Sequence, residues 1–237
     1  MCIRDSFYAV SVSRAGAGGG TVTSSPAGIS CGAACTASYP HNTFVSLLAT
    51  PAAGSTFTGW SGACSGTGSC DIVLTAAASV TATFALNAYT LSVIKTGSGA
   101  GGVDSSPAGI VCGGDCSEVY PHGTTVTLTA AAATGSTFAG WSGAGCSGTG
   151  SCTFTVTADT DLGASFTRND YLLSVAKAGA GAGTVTSSPA GISCGATCTA
   201  LYPFNTTVTM TAAATTGSTF TGWAGAGCSG TGPSPSP

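Results

Sequence analysis

The chain has 237 residues, of which only 5% are charged, and its formal net charge is −3. Five Lys and Arg in that length exclude the clustered basic footprint of a nucleic-acid binder. No apolar run approaches the ~18 residues of a membrane span, and apolar residues recurring regularly in a Gly, Ser and Thr background point to packed cores rather than charged-type disorder.

In chain order, Met1–Ser6 (MCIRDS) matches nothing later and has no apolar stretch behind it of the kind an export signal carries. It reads as a non-native leader, Cys2 included. From residue 7 nearly the same sentence is written three times. Cys31, Cys112 and Cys194 mark a spacing of 81 and then 82 residues, and Trp60, Trp141 and Trp223 fall in register with them, as do Tyr8, Tyr89 and Tyr171. This predicts three small units, 7–86, 87–168 and 169–237. The third is incomplete. After CSGTG it reads Pro233–Pro237 (PSPSP), with Ser234 where the last cysteine of the pattern would stand. It therefore reads as a truncated unit or the start of a Pro-Ser linker, in a piece of a longer protein. Without counterparts of Phe154–Phe166, this unit is expected to fold poorly alone and to expose apolar surface and a sheet edge.

The second unit is the clearest template. Tyr89, Leu91 and Val93 alternate with polar or outward residues and predict a strand. A glycine-rich turn (97–102) leads to a short strand near Val103 and a Ser-Ser-Pro-Ala-Gly turn at 105–109. Glu118–Tyr120 is a short strand ended by Pro121. Thr125–Ala130 alternates apolar with β-branched Thr, which suits a strand with one wet face. Phe138 and Trp141 follow Gly135, the 146–152 segment is a hairpin loop, and Leu162, Ala164 and Phe166 mark the last strand. Six or seven strands in about 80 residues make the unit all-β or nearly so. Val45, Val126 and Val208 recur as core positions, as do Leu47, Leu128 and Met210. No linker separates the units, so the array should be a semi-rigid rod.

Each complete unit carries C-x3-C and then C-x5-C, with 28 or 29 residues between. Local pairs are favoured: Cys31–Cys35, Cys64–Cys70, Cys112–Cys116, Cys146–Cys152 and Cys194–Cys198. Glycines inside these loops let the Cα atoms approach, and each bridge is worth roughly 2 kcal/mol in the chain-entropy model. Cys228 is left without a C-x5-C mate in the sequence, like Cys2. The rival is a four-cysteine zinc site, disfavoured because neither spacing is the C-x2-C knuckle of structural zinc. Paired cysteines also favour an oxidising compartment.

The repeats test every catalytic signal, because chemistry present in each unit should recur. Gly97-x-Gly99-x-x-Gly102 resembles a dinucleotide fingerprint but opens a strand rather than a helix, and repeat one breaks its spacing. Gly140-Trp141-Ser142-Gly143 falls short of a nucleophile elbow, and repeat three has Ala224 in place of the serine. His41 and His122 become Phe204, so they read as turn residues. Asp115, Glu118, Asp159 and Asp161 do not recur as acids and read as solvated turns. Arg14, Lys95 and Lys177 align, but Arg14 cannot form a Lys–Asn crosslink; they read as charged strand ends that discourage edge pairing. Asn205-Thr-Thr is a lone glycosylation sequon. No catalytic residue, metal ligand or cofactor site emerges.

Trp60, Trp141 and Trp223 carry two readings. Each is a lid over a small core, or an exposed platform for stacking a sugar. The lid is favoured, since small domains have few large side chains to fill them.

The run Thr21–Cys35 (TVTSSPAGISCGAAC), an alternating VTLTA strand, and Gly54–Cys70 (GSTFTGWSGACSGTGSC) together resemble the divergent InlB B-repeat family, over residues 7 to about 232. The resemblance implies a β-grasp-like or sandwich-like module used in tandem in bacterial secreted and cell-surface proteins, and it implies no catalytic residue. The expected role is a non-catalytic spacer or stalk, with adhesion as a further role. The expected partners are neighbouring repeats, unseen domains of the parent protein, and a glycan or host-surface ligand if one is bound. Two other roles stand behind it: a glycan- or cell-wall-binding module using the repeated Trp, and accessory repeats appended to an enzyme domain elsewhere.

Overall fold

The computed structural model describes residues 6–32, 34–225, 227–232 and 234–235. The expectations for Cys2 and for most of the leader lie outside them. No helix occurs among the described residues.

Repeat one forms β1 (Phe7–Ala15), β2 (Gly20–Ser25), β3 (Ser30–Cys31), β4 (Thr36–Pro40), β5 (Phe44–Pro51), β6 (Ser55–Gly62), β7 (Cys70–Val73) and β8 (Ala78–Leu86). They make two four-stranded sheets, ordered β4-β1-β8-β6 and β3-β2-β5-β7. The second is wholly antiparallel. In the first, β1 lies between β4, antiparallel, and β8, parallel. The unit thus ends by laying its last strand beside its first.

Period-two alternation builds the core. Val10 and Val12 of β1 and Val80, Ala82 and Phe84 of β8 face Val22, Val45 and Leu47 of the other sheet, in one buried cluster. Ser and Thr occupy most of the intervening outward positions. Two sheets meeting through their apolar faces are a sandwich. A β-grasp, which packs a helix on its sheet, is not what forms.

Repeat two repeats the plan with β9 (Ala88–Thr96), β10 (Gly101–Ser106), β11 (Ser117–Pro121), β12 (Thr125–Ala132), β13 (Ser136–Ser142), β14 (Cys152–Thr155) and β15 (Thr160–Arg168). The orders are β11-β9-β15-β13 and β10-β12-β14. The counterpart of β3 is reduced to single bridges at Val111.

Repeat three contains β16 (Asp170–Ser174), β17 (Gly183–Ser188), β18 (Ser193–Cys194), β19 (Thr199–Pro203), β20 (Thr209–Ala214), β21 (Trp223–Gly225), β22 (Cys228–Gly230) and β23 (Ser234–Pro235). The antiparallel sheet survives as β18-β17-β20-β23, but the mixed sheet falls apart into the pairs β16-β19 and β21-β22. β16 has five residues where β1 and β9 have nine. The reason is local: residues 10–15 and 91–96 are held by β8 and β15, and residues 173–178 have no such neighbour among the described residues.

Candidate functional site

The residues that recur in every unit are the ones to test for function, and one group of them surrounds the Trp. In β6, Phe57 lies opposite Phe84 and Gly59 opposite Thr83, so Thr58 is the extra residue of a β-bulge. Without it, Phe57 and Trp60, three apart, would face opposite sides. With it both turn inward, ring centroids 5.0 Å apart. Repeat two does the same at Phe138 and Trp141, 4.9 Å apart. The bulge glycines, Gly59 and Gly140, sit at φ 143° and 140°, where a side chain is strained. The F-x-G-W motif is therefore a bulge signature.

The C-x5-C loop folds over each indole. Trp60 Nε1 donates to Gly68 O at 2.7 Å, and Trp141 Nε1 to Gly150 O at 2.6 Å. The disulfides Cys64–Cys70 and Cys146–Cys152 close these loops, with Cα separations of 5.5 and 5.6 Å. Trp60 and Trp141 are 5% and 6% exposed. Neither offers a ring face on which a sugar could stack, so the platform reading is corrected for these two. A buried indole keeps its N–H bonded and adds apolar area to a small core. Trp223 keeps the bond, to Gly232 O at 2.9 Å, but is only half-buried.

Cys31–Cys35, Cys112–Cys116 and Cys194–Cys198 are also bonded, each with Cα atoms 4.3 Å apart. The cysteines thus stand in separate covalent pairs rather than a four-thiolate cluster. Among the described residues no three His, Cys, Asp or Glu side chains gather as metal ligands.

A second recurring constellation has only weak sequence signals. Ser24 Oγ accepts the N–H of Ile29 at 2.9 Å and lies 2.7 Å from the Tyr39 hydroxyl. Ser105 with Ile110 and Tyr120, and Ser187 with Ile192 and Tyr202, repeat the clip. Gly28, Gly109 and Gly191 lie under the tyrosine hydroxyl, which a Cβ would meet at 2.7–2.8 Å. This explains S-S-P-A-G together with the Tyr-Pro end of the fourth strand.

Arg14 and Lys95 are not edge guards, because β1 and β9 are inner strands. Arg14 donates to Gly20 O at 2.7 Å, Lys95 to Gly101 O and Cys112 O at 3.2 Å each, and Lys177 to Gly183 O at 3.1 Å. Each ties the glycine-rich hairpin to the strand that precedes it. The Gly97-Gly99 turn is likewise structural. A Cβ at Gly97 would strike Phe166 O, and one at Gly101 the Phe166 ring, so the glycines let the last strand pass.

Two of the acids accept hydrogen bonds from nearby or facing backbone. Asp159 accepts the N–H of Thr90 at 2.8 Å and Asp115 that of Ser117 at 3.1 Å. Asn205 takes φ 64° in a turn where Asn42 takes 62°, so its sequon coincides with a backbone requirement.

His122 and Phe204 lie at the junctions between repeats. Asn87 donates to Gly54 O of repeat one, and its own carbonyl accepts His122 N–H, both at 2.8 Å; its side chain accepts Thr56 Oγ1–H at 2.7 Å. Asn169 repeats all three bonds with Gly135, Phe204 and Thr137, at 2.9, 2.8 and 2.6 Å. The His122 ring lies on Gly54 and the Phe204 ring on Gly135, at turns too close for a Cβ.

A tandem disulfide-bonded sandwich with this motif set matches a known family model, the divergent InlB B-repeat domain, at residues 10–88 and 92–170. The chain belongs to the divergent InlB B-repeat family. No curated protein sequence matches this B-repeat chain. Among solved structures, the Bacillus anthracis TIE protein is similar in fold at 10% identity and a TM-score of 0.53, over 88% of this chain and 45% of that one. The chain thus spans about half the length of that protein. The Streptococcus pyogenes major pilin T-13 aligns at 10% identity and a TM-score of 0.34, over 69% of this chain and 97% of the pilin. The B-repeats carry disulfides and junction clamps as their recurring chemistry, and they are tandem all-β structural modules.

Proposed function

We propose that the chain is a non-catalytic spacer, a stalk segment of a bacterial secreted or cell-surface protein that holds other domains at a distance. The observation that carries this reading is the repeated junction. Asn87 and Asn169 each bond both neighbouring repeats through backbone and side chain, and an aromatic ring seats on a glycine turn beside each. Two modules joined by one residue and clamped at three points have little freedom to swing, and a stalk needs that. Membership of the B-repeat family and five local disulfides, which persist in an oxidising setting, support the extracellular placement. No helix of the described residues is long and apolar enough to cross a membrane. Its partners on this reading are the domains it separates.

Distance distributions between spin labels on the outer faces of repeats one and two test the stalk. A narrow distribution, broadened in the Asn87→Gly variant, is expected. A native distribution as broad as that of two domains on a flexible linker would remove the stalk reading.

A further inference from the structure

We infer that the C-x3-C disulfide of each repeat is a thiol-exchange site: a covalent staple between the two sheets that a small thiol opens, with the aligned cation drawing in the thiolate. In repeat one Cys31 lies in β3 opposite Val22, at the edge of the antiparallel sheet, while the carbonyl of Cys35 accepts the N–H of Val12 in the mixed sheet at 2.8 Å. In repeat two Cys112 donates its N–H to Val103 O and the carbonyl of Cys116 accepts that of Val93, both at 2.7 Å. In repeat three Cys194 lies opposite Val185, and Cys198 accepts the N–H of Val175 at 2.8 Å. The bond thus crosses the seam of the sandwich in every unit, whether or not the array is a stalk.

Two features make this bond, rather than the C-x5-C bond, the reactive one. The first is access. Cys31, Cys112 and Cys194 are buried, but Cys35, Cys116 and Cys198 are only half-buried. In repeat one both cysteines line an open cavity of about 460 Å³, and Arg14 lines it with them. The second is charge. A thiol attacks as its thiolate, and the displaced sulfur also leaves as a thiolate, so a nearby cation favours both events. Arg14 supplies it in repeat one, and in repeat two Lys95 Nζ donates to the carbonyl of Cys112 at 3.2 Å. The Cys64–Cys70 bond has the opposite setting. Asp71 follows Cys70, its carboxylate held there by the hydroxyls of Ser46 and Ser69.

The exchange balances as follows. A thiolate RS⁻ attacks Cys35 Sγ, forming an S–S bond to it and breaking the bond to Cys31 Sγ, which leaves as a thiolate into the cavity that Arg14 lines. A second RS⁻ attacks the outer sulfur of that mixed disulfide, giving RSSR and the Cys35 thiolate. Two small thiols are oxidised, one protein disulfide is reduced, and the protons the small thiols released return to the new protein thiolates.

The repeats are natural variants of the site. The loop reads Cys-Gly-Ala-Ala-Cys in repeat one, Cys-Gly-Gly-Asp-Cys in repeat two and Cys-Gly-Ala-Thr-Cys in repeat three. Asp115 precedes Cys116, the accessible partner, and its negative charge opposes an approaching thiolate. Cys112–Cys116 should therefore open more slowly than Cys31–Cys35.

The test exposes the full chain, folded and at low salt, to reduced glutathione, with timed acid quenching, alkylation and mass mapping of each cysteine. Cys31–Cys35 is expected to open at least about tenfold faster than Cys64–Cys70, through a glutathione adduct on Cys35 and an alkyl label on Cys31. Asp115→Thr, the residue repeat three carries, should speed Cys112–Cys116 about fivefold, and Arg14→Met should slow Cys31–Cys35 by a similar factor. Opening of all the bonds at one rate, adducts on Cys31 in place of Cys35, or rates indifferent to both substitutions overturn the proposal. So does an Arg14→Met variant in which Cys31–Cys35 and Cys64–Cys70 speed up together, because opening would then follow unfolding of the repeat. After selective opening, amide exchange at Val12 should rise while buried Val45 stays protected. If Val12 stays protected as well, the bond does not staple the sheets and the proposal falls.

Discussion

Repeats two and three carry nearly the same residues as far as the C-x5-C loop, yet one closes its mixed sheet and the other leaves it in two pieces. The antiparallel sheet is nearly indifferent to the change: Val185, Cys194, Val208 and Met210 are buried like their counterparts. The mixed sheet is not. Among the described residues of repeat three no strand corresponds to β15, Phe166 has no equivalent in the core, the buried cluster is half the size, and the first strand is shorter. The antiparallel strands pair with partners within about thirty residues of them, whereas the first strand depends on a partner about seventy residues away. One terminal strand therefore decides whether half of the sandwich exists.

The comparison can be broken by making repeat two resemble repeat three. Phe166 is buried against Phe138 and Gly101, so Phe166→Ala should destabilise repeat two by about 3–5 kcal/mol. Amide exchange at Leu91, Val93 and Leu162 should speed up accordingly while repeat one stays protected. If the exchange rates in repeat two do not change, the last strand is not what holds the mixed sheet. Next in size is the Cys146–Cys152 bridge, which closes the loop over Trp141. Replacing both cysteines by serine should remove about 2 kcal/mol and make Trp141 accessible to acrylamide, as Trp223 should be already. Unchanged quenching would show that the Trp141 lid closes without the bridge. The smallest effect sharpens the contrast most. Gly97 and Gly179 share φ 93°, but a Cβ at Gly97 meets Phe166 O whereas one at Gly179 meets nothing. Both alanine variants bear the strain of left-handed backbone, about 1–3 kcal/mol. Gly97→Ala should be worse by about another 1 kcal/mol or more, read as the difference in denaturant midpoint shifts. Equal shifts would remove the strand's close approach from the explanation.

Much of the architecture was legible in the residues. The repeat register, the strands at Thr125–Ala130 and Leu162–Phe166, and the core at Val126 and Leu128 all follow from alternation and recurrence. The C-x3-C and C-x5-C spacings put both sulfurs of each pair within one turn, where the structure joins them. Arg14 and Lys95 show where such reading stops. Their alignment is visible in the sequence, but a charge at a strand end reads as an edge guard until the strand is known to be an inner one. The Ser–Tyr clip was missed because its members are 15 residues apart and individually ordinary.

The sequence by itself determined the all-β character and the positions of most strands, because these depend on patterns a few residues long. Only the tertiary structure decided that first and last strands lie parallel, that Thr58 bulges so that Trp60 turns inward, and that Asn87 and Asn169 clamp neighbouring repeats. Each of these rests on contacts between segments distant in the chain, where no local periodicity records the partner.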